Sequence, residues 1–591
     1  MSLPPAQPLY FGPAERVLFG WLHRAPADQG RNIGILLCSP SGYEAICTHR
    51  TYRRFAETAA ARGFPALRFD YDGTGDSAGH SLDPDRLGHW LRSITTAIDT
   101  LKAQTGVDRV CLFGVRVGAS LAAMAAQGRP DVHSMIAFAP VVKVNSYLRE
   151  IRALSLSRSP APPPATLNVD PELQEAAGFT TTAETRAALS TLDLLSLEAA
   201  PSSHVLILDR DDLTPSDAWP RKLISQGAAV EQRLLTGYVD MMRDAHASKV
   251  PQQSIDSALE WLSARPEVAV KALAPAEEPS PAVAQFTEDA QAVHESALFL
   301  DPQRVLFGIV SEPDASRAVR DVVVLLNSGT IHHIGPSRLY VAIARRCAAR
   351  GLGAMRVDLS GVGDSSVRGG AAENAPYSDS AHLDVRQAVE FAAIRFPNAR
   401  VHLIGLCSGA YHGLKAAAAG SALRSVVIVN PLTFFWKPGM SLEYADFQVT
   451  SESSRYARSA ANLSKWLKLL RGDVDLRAAG MVFWKRLKVR AKNSLRDVQR
   501  LLGVELDDDL ASELLRVARQ NTDMYFIFSA SDPGYSMLCE QGGRIVGSLA
   551  RREQLRISIV EGADHTFTAH WNRDQLVTLL MAHLERHAAR A

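Results

Sequence analysis

One cysteine in the second half of the chain stands where a nucleophile would be expected. The sequence VHLIGLCSGAYHG, residues 401–413, runs from an apolar strand through Gly-Leu-Cys-Ser-Gly into a helix of small residues. This order is typical of a sharp strand–turn–helix that presents its middle residue to a pocket. The two glycines flank the turn where side chains would clash with the neighbouring strand and helix. Cys407, the middle residue, is therefore the candidate nucleophile.

An acid and a base follow this cysteine. FIFSASDPG puts Asp532 just after an apolar run, and RISIVEGADHTF puts His565 in the loop after the next run. A thiol needs a base or a cationic neighbour to become a thiolate at neutral pH, and a histidine oriented by a carboxylate supplies one. We assign Cys407 as nucleophile, His565 as base and acid, and Asp532 as the group that orients the imidazole. The backbone N–H groups of Ser408 and Thr330 are the expected oxyanion hole.

Other assignments remain open from the sequence. Ser408 would be the nucleophile only in a turn shifted off the two flanking glycines. Asp364, in GVGDS, is an alternative acid and otherwise a turn residue or helix cap. His332 and His333 follow the presumed oxyanion loop, where they either touch substrate or are ordinary loop histidines. Without the acid and base that follow it, Cys407 would be interpreted as a buried core cysteine.

The elements that must position these residues come from an internal repeat. RVLFG occurs at residues 16–20 and again at 304–308, an offset of 288. The same offset aligns ARGFPALRFDYDGTGDS with ARGLGAMRVDLSGVGDS. A Pro- and Ala-rich segment between the copies is typical of a linker. The repeat predicts a first domain at 1–268, a linker at 269–289 and a second domain at 290–591.

Each copy alternates strand-length apolar runs with helical spacing. DVVVLLNS, residues 321–328, is a continuous apolar run, as expected for a parallel strand covered on both faces. SRLYVAIARRCAARG has helical spacing and is expected to end at Gly351. The alternation predicts an α/β fold in which each domain has a mostly parallel, doubly wound sheet.

These motifs carry a family resemblance. The NSGT loop, RVDLSGVGDS, the G-x-C-x-G elbow, SASDPG and EGADHTF resemble the α/β-hydrolase fold in the order nucleophile, acid, histidine. The resemblance covers most of each copy and implies two tandem hydrolase-fold domains. RFDYDGTGDS and GYE in the first copy resemble serine aminopeptidase-like or exosortase-associated hydrolases. The elbow alone resembles polyhydroxyalkanoate synthases and dienelactone hydrolases, but Ala410 replaces their second glycine and no substrate is carried over.

The first copy has the same turn without the same chemistry. Its elbow, GVRVG, centres on Arg116, which stays protonated and cannot accept an acyl group. Asp212 matches the acid position, and Asp240 stands where the second copy has its histidine. We interpret this domain as inactive. Arg116 is expected either to pair with Asp212 or Asp240 in a collapsed pocket, or to bind an anionic group of a ligand.

A long insert interrupts the second copy. Almost ninety residues with mostly helical spacing separate the strand ending in VNPLTFFW from MYFIF at 524–528. We predict a helical lid at about 435–520. The residues expected to contact substrate there and beside the oxyanion loop are Trp466, Trp484, Arg490 and His332.

The insert is strongly basic. Residues 455–500 contain thirteen Lys or Arg against three Asp. Such a stretch is either a solvated helix face, or a surface that docks an acidic partner such as an acyl carrier protein, a coenzyme A phosphate or an anionic membrane.

Composition indicates the compartment and the class of partner. Six scattered cysteines favour a reducing compartment, and no apolar stretch is long enough for a membrane span, so we predict a cytoplasmic protein. A net charge of +1 argues against nucleic acid as a partner. The predicted reaction is acyl transfer through a cysteinyl thioester, from a carrier-protein or coenzyme A thioester, without metal or cofactor. Ester or lactone hydrolysis by the same residues and a non-catalytic scaffold are the alternatives.

Overall fold

The computed structural model describes residues 4–26, 28–157, 172–265, 268–271, 281–437, 439–440, 442, 499, 502 and 506–589. Three of the residues predicted to contact substrate, and most of the predicted lid, lie outside these ranges: Trp466, Trp484 and Arg490. The chain forms two compact units. The first comprises residues 1–319, 330–375 and 569–573, and the second comprises 320–329, 376–568 and 574–591. The linker predicted at residues 269–289 between the two repeats stays a prediction.

The strands are β1 (Gln7–Phe11), β2 (Leu18–His23), β3 (Ile33–Cys38), β4 (Ala66–Phe69), β5 (Arg109–Val115), β6 (Val132–Phe138), β7 (Gln174–Ala176), β8 (Phe179–Thr181), β9 (His204–Arg210), β10 (Ala229–Leu235), β11 (Ala282–Glu288), β12 (Gln291–Phe299), β13 (Phe307–Pro313), β14 (Asp321–Leu326), β15 (Gly353–Val357), β16 (Arg400–Leu406), β17 (Ser425–Val429), β18 (Asp523–Ser529) and β19 (Leu555–Val560). The helices are α1 (Tyr43–Ala61), α2 (Arg86–Thr105), α3 (Val117–Ala125), α4 (Val144–Ser157), α5 (Ala183–Ser190), α6 (Ala218–Ser225), α7 (Tyr238–Met241), α8 (Gln252–Ser263), α9 (Leu339–Ala349), α10 (Ala381–Arg395), α11 (Ser408–Ala418), α12 (Leu510–Arg519), α13 (Gly534–Arg551) and α14 (His570–Ala589).

The first unit contains an eight-stranded sheet in the order β1-β2-β4-β3-β5-β6-β9-β10. β1 and β2 are antiparallel to their neighbours, and the six strands from β4 to β10 are parallel. Side chains of β3 alternate between two cores: Ile35 and Leu37 pack on one face, Leu36 and Cys38 on the other. Both faces are covered, which explains why the strands are continuous apolar runs.

The same unit holds the start of the second repeat. β11, β12, β13 and β15 form an antiparallel set in that order. β11 corrects part of the predicted linker, because residues 282–288 are a strand. Ala282, Ala284 and Phe286 are buried in alternation with exposed neighbours. The alternation was easily missed because two of its three apolar members are alanines, which are also common in linkers.

Two buried ion pairs in this unit connect the two repeats. Each repeat supplies the arginine of one pair and the aspartate of the other. Arg68 of the first repeat binds Asp364 of the second at 2.6 Å, and Arg356 of the second binds Asp76 of the first. Each arginine and each aspartate is separated from its counterpart by the 288-residue offset. All four side chains are at most 9% exposed. Such reciprocity is the signature of a two-fold-related contact between duplicated segments.

The second unit contains five parallel strands in the order β14-β16-β17-β18-β19. Because parallel strands end at one edge of the sheet, the segments after β16, β18 and β19 share that edge. Cys407 follows β16, Asp532 follows β18 and His565 follows β19. Mostly parallel sheets packed against helices confirm the predicted fold class. No helix in the described part of the chain is both long and apolar enough to cross a membrane.

Candidate active site

The turn after β16 holds Cys407 in a strained conformation. Its φ is 58° and its ψ is −116°, a region that side-chain-bearing residues rarely adopt. A Cβ on Gly405 would lie 2.1 Å from the backbone of Gly409, and a Cβ on Gly409 would lie 2.6 Å from the carbonyl oxygen of Asn327. Only glycine fits at these two contacts. The Cys407 N–H donates to the Val429 carbonyl at 3.0 Å, which ties the turn to β17.

The predicted acid and base are in direct contact. His565 Nδ1 lies 2.6 Å from Asp532 Oδ2. The other carboxylate oxygen of Asp532 accepts the Gly534 N–H at 2.8 Å, so both oxygens have partners. The Asp532 side chain is 2% exposed and the His565 side chain 30%. A buried carboxylate therefore holds an imidazole that still reaches the surface.

The pKa of His565 depends on both Cys407 and Asp532. Burial alone lowers the pKa of its imidazole, but the neighbouring Cys407 and the hydrogen-bonded Asp532 outweigh burial and raise this pKa to about 10. Nε2 of His565 is buried and has no partner in full hydrogen-bonding geometry among the described residues. Cys407 therefore acts on the imidazole both through its charge and through a weak side-chain hydrogen bond. The arrangement favours a protonated imidazole at neutral pH.

A fully buried asparagine that the sequence argument did not single out holds the histidine loop. Asn430 Nδ2 donates to the His565 carbonyl at 2.7 Å, and its Oδ1 accepts the Ser529 N–H at 2.8 Å. The side chain thereby joins the end of β18 to the loop after β19. The only signal in the sequence is its place directly after the strand SVVIV.

Two short contacts fix the neighbouring loops. Ser531 Oγ donates to the Ala563 carbonyl at 3.0 Å, which joins the acid loop to the histidine loop. Asp564 Oδ1 accepts the Thr568 N–H at 2.6 Å and closes a turn around His565. The loop that carries the base is therefore held on both sides.

The two predicted oxyanion residues fall in different units. Ser408 begins α11, and its hydroxyl accepts the Gly329 N–H at 2.9 Å. This side chain therefore orients the loop after β14, a role that the sequence did not predict. Thr330 belongs to the first unit, where its hydroxyl is buried without a hydrogen-bond partner among the described residues. Its role in an oxyanion hole stays a prediction.

Thr330 and His332 line a small polar cavity of the first unit. The cavity has a volume of about 20 Å³, enough for one water-sized molecule and too small for an acyl group. The His332 ring stacks on His49 with centroids 4.0 Å apart. Burial, followed by the neighbouring His49, lowers the pKa of His332 well below its usual value, so this ring is neutral. Contact between His332 and substrate stays a prediction.

One buried cluster has the composition of a metal site. Ligating atoms of His333, Asp358 and Asp364 lie within 4.8 Å of one another. His333 Nδ1 already contacts Asp358 at 2.8 Å, Nε2 contacts Asp76 at 2.7 Å, and Asp364 is bound by Arg68. Burial lowers the pKa of His333, but the two aspartates outweigh it and raise that pKa well above its usual value. A protonated histidine between carboxylates suits an ion-pair network better than a metal ion. Asp364, the alternative acid, is engaged in this network.

The first repeat has the same turn with an arginine at its centre. Arg116 has a φ of 54° and a ψ of −126°, and its N–H donates to the Phe138 carbonyl at 3.0 Å. Its guanidinium donates to Glu44 at 3.1 Å and to Glu150 at 2.5 Å. It also lies over the Tyr147 ring, with Cζ 5.3 Å from the ring centroid. The position is thus filled by a cation with two carboxylate partners.

The partners expected for Arg116 were wrong. Asp212 is exposed and binds Arg210 at 2.5 Å, and Asp240 is partly exposed and binds Lys249 at 2.9 Å. The actual partners lie at the start of α1 and on α4, outside the aligned catalytic motifs. The glutamate of GYE in the sequence was a signal for one of them.

Two family models match the chain, one in each repeat. The model described as "Serine aminopeptidase, S33" matches residues 45–188, and the model described as "Alpha/beta hydrolase family" matches residues 322–578. The α/β-hydrolase fold therefore occurs in two regions in tandem, as predicted. Both matched models describe hydrolase families.

Several solved structures are similar to part of the chain. A putative hydrolase from Agrobacterium vitis S4 is 19% identical, with 44% of this chain and 98% of that chain covered and a TM-score of 0.29. Est1E from Butyrivibrio proteoclasticus with bound ferulic acid is 17% identical (43% and 99% covered, TM-score 0.31). Alpha/beta hydrolase domain-containing protein 10 from mouse is 16% identical (43% and 96% covered, TM-score 0.29). Comparison with curated protein sequences finds no match.

Proposed function

We propose that the second repeat transfers acyl groups through a thioester on Cys407, taking the acyl group from a coenzyme A or carrier-protein thioester. The observation that carries this proposal is the 2.6 Å contact of His565 Nδ1 with Asp532 Oδ2, in a site where Cys407 and Asp532 together raise the pKa of His565 to about 10. An imidazolium at neutral pH stabilises a thiolate beside it. Sulfur at this position favours exchange between thioesters, which is close to thermoneutral.

Acylation begins with the Cys407 thiolate. Its sulfur adds to the carbonyl carbon of the donor thioester, and a new C–S bond forms. The tetrahedral adduct then collapses with cleavage of the C–S bond to the departing sulfur. The His565 imidazolium gives its Nε2 proton to that sulfur, so the donor leaves as a thiol and the imidazole becomes neutral. Asp532 keeps the Nδ1 proton in place throughout.

Deacylation reverses the proton flow. Neutral His565 takes a proton from the acceptor, whose oxygen adds to the carbonyl carbon of the acyl group on Cys407. The C–S bond to Cys407 breaks, and the thiolate–imidazolium pair forms again. With water as acceptor the product is a carboxylic acid. Water is the acceptor that the two matched hydrolase families favour.

The first repeat does not catalyse in this proposal. Arg116 occupies the position of the nucleophile and is bound to Glu44 and Glu150. A guanidinium with two carboxylate partners offers neither a nucleophile nor a free anion site. The proposal of a carrier-protein partner depends on the thirteen basic residues at 455–500, which lie outside the described residues.

The test is the detection of the acyl–cysteine intermediate. Full-length protein is incubated with acyl-coenzyme A of several chain lengths and with an acyl carrier protein thioester, quenched in acid and mapped by mass spectrometry. We expect the mass of the acyl group on the Cys407 peptide and release of free thiol. Cys407→Ala should carry no acyl group.

The exposed Cys539 provides a matched control. Cys539→Ala should acylate at the wild-type rate, because this residue lies outside the proposed site. Acylation of Cys539 instead of Cys407, or turnover without an adduct in a rapid-quench experiment, would overturn the proposal. Faster turnover of aryl esters than of thioesters would favour the ester-hydrolase alternative.

A further inference from the structure

A tyrosine between β15 and α10 lies against the start of α11. Tyr377 is 7% exposed, and its ring stacks on Trp436 with centroids 4.1 Å apart and planes 7° from parallel. Its edge meets the Tyr411 ring at 5.2 Å. Tyr411 is in the first turn of α11, where its N–H donates to the Cys407 carbonyl at 3.3 Å. Tyr377 is therefore packed on the same helical turn that follows the candidate nucleophile.

The backbone next to Tyr377 is also fixed. His412 Nε2 lies 2.9 Å from the Pro376 carbonyl oxygen, and burial lowers the pKa of His412 to about 4. The ring is thus neutral and donates this hydrogen bond through Nε2. Because both its ring and its preceding peptide are held, Tyr377 has a defined position before any ligand arrives.

The hydroxyl of Tyr377 has an unusual environment for a buried polar group. It is buried and has no hydrogen-bond partner among the described residues. The Tyr525 hydroxyl of the same unit, by contrast, lies 2.8 Å from Ser558 Oγ. Buried polar groups are nearly always paired, and a buried unpaired one in a folded protein calls for an explanation such as a ligand.

The chemistry of this hydroxyl is that of a donor. Burial raises its pKa far above the usual value, and the charge of the nearby Cys407 raises it further. The group therefore keeps its proton at neutral pH. An acceptor on a molecule bound at Cys407 would satisfy it.

We propose that Tyr377 binds substrate, its hydroxyl donating a hydrogen bond to the carbonyl oxygen of the acyl group attached at Cys407. The proposal rests on the proposed acyl transfer. The carbonyl oxygen is the one acceptor that every acyl thioester carries beside the attacked carbon, and it gains negative charge as the thiolate adds. Tyr377 keeps its proton throughout, so the step needs no further reactant. The stacked Trp436 face limits motion of the Tyr377 ring.

The first experiment is Tyr377→Phe, which keeps the ring and its stacking. We expect the acylation rate and kcat to fall about ten- to a hundredfold with little change in KM, because the lost interaction is strongest in the transition state. Alkylation of Cys407 by iodoacetamide should stay at the wild-type rate, which also shows that the site is folded. Tyr525→Phe is the control for loss of a tyrosine hydroxyl in the same unit and should leave both rates unchanged.

A second readout does not depend on turnover. A short aliphatic aldehyde adds to the Cys407 thiolate, and its carbonyl oxygen takes a proton from His565 as the C–S bond forms. Tyr377→Phe should raise the aldehyde dissociation constant about tenfold. If the wild-type protein accepts no thioester but Tyr377→Phe still weakens aldehyde binding, the result supports the role of Tyr377 and refutes the acyl-transfer proposal. Wild-type aldehyde binding and acylation in Tyr377→Phe would overturn the role of Tyr377 and leave water as the partner of its hydroxyl.

Discussion

Cys407 and Arg116 occupy the same strained backbone position in the two repeats. Their φ values are 58° and 54°, and their ψ values are −116° and −126°. Such a conformation costs about 1–3 kcal/mol and persists only where the surroundings enforce it. Close approach at the flanking glycines enforces it in both repeats. The turn is thus a property of the fold, and the residue at its centre decides whether chemistry follows.

Cys407 should react with iodoacetamide at pH 7 at least about tenfold faster than any other cysteine, because an imidazolium stabilises its thiolate. Burial raises the pKa of Cys111 and Cys347 to about 12, which keeps these two as thiols. Burial also raises the pKa of the exposed Cys539. Peptide mapping after timed alkylation measures the rates. Labelling of Cys539 ahead of Cys407 would contradict the assignment.

Removal of the thiol should lower the pKa of His565. The folded pKa of about 10 lies above the unfolded value of about 6.5. The stabilisation from this group is therefore complete below about pH 6.5 and is lost as the pH rises through about 10. In Cys407→Ala the contribution of the thiol disappears, and the imidazole should titrate at a lower pH. NMR titration of labelled histidines measures this shift, and an unchanged titration would show that Cys407 does not act on the ring.

Asn430→Asp should weaken the histidine loop. The substitution keeps the acceptor for the Ser529 N–H but removes the donor to the His565 carbonyl and puts a carboxylate against it. Loss of a buried hydrogen bond costs about 1–3 kcal/mol, so the free energy of unfolding and the acylation rate should both fall. Thr433→Ala, three residues along in the same loop, is the control. Equal acylation rates in the two variants would exclude positioning by Asn430.

Arg116→Cys should not create a second reactive thiol. Glu44 and Glu150 lie beside this position and disfavour a thiolate. Loss of the guanidinium leaves the mostly buried Glu44 with the Tyr147 hydroxyl but without its cation, and stability should fall by about 2 kcal/mol. Denaturant titration and alkylation of the new cysteine measure the two effects. Glu150→Gln is the control: Glu150 is half exposed, and its pair should contribute little.

Arg68→Met should be strongly destabilising, because it leaves Asp364 charged and buried. Removing one partner of a buried ion pair typically costs about 3–5 kcal/mol. The double variant Arg68→Met with Asp364→Leu should recover most of that loss, since apolar replacement of both partners is often close to neutral. Equilibrium unfolding of the four proteins in the cycle gives the coupling energy. A coupling near zero would show that the reciprocal pairs do not hold the repeats together.

Local signals in the sequence predicted most of the second repeat. Apolar runs marked β14, β16 and β18, and Gly351 follows the end of α9 with a φ of 87°. β11 was missed because its short alternating pattern is built largely from alanine. Asn430 was missed because nothing in its neighbours distinguishes a buried clamp from a loop asparagine.

By itself, the sequence determined the fold class, the tandem repeat and the chain positions of Cys407, Asp532 and His565. These depend on local periodicity, turn glycines and order along the chain, all of which one sequence displays. Only the tertiary structure decided which groups meet. It joined Asn430 to His565 across 135 residues, gave Arg116 its glutamates and left the Tyr377 hydroxyl unpaired. Contacts between distant segments depend on how whole elements pack, and no local pattern carries that information.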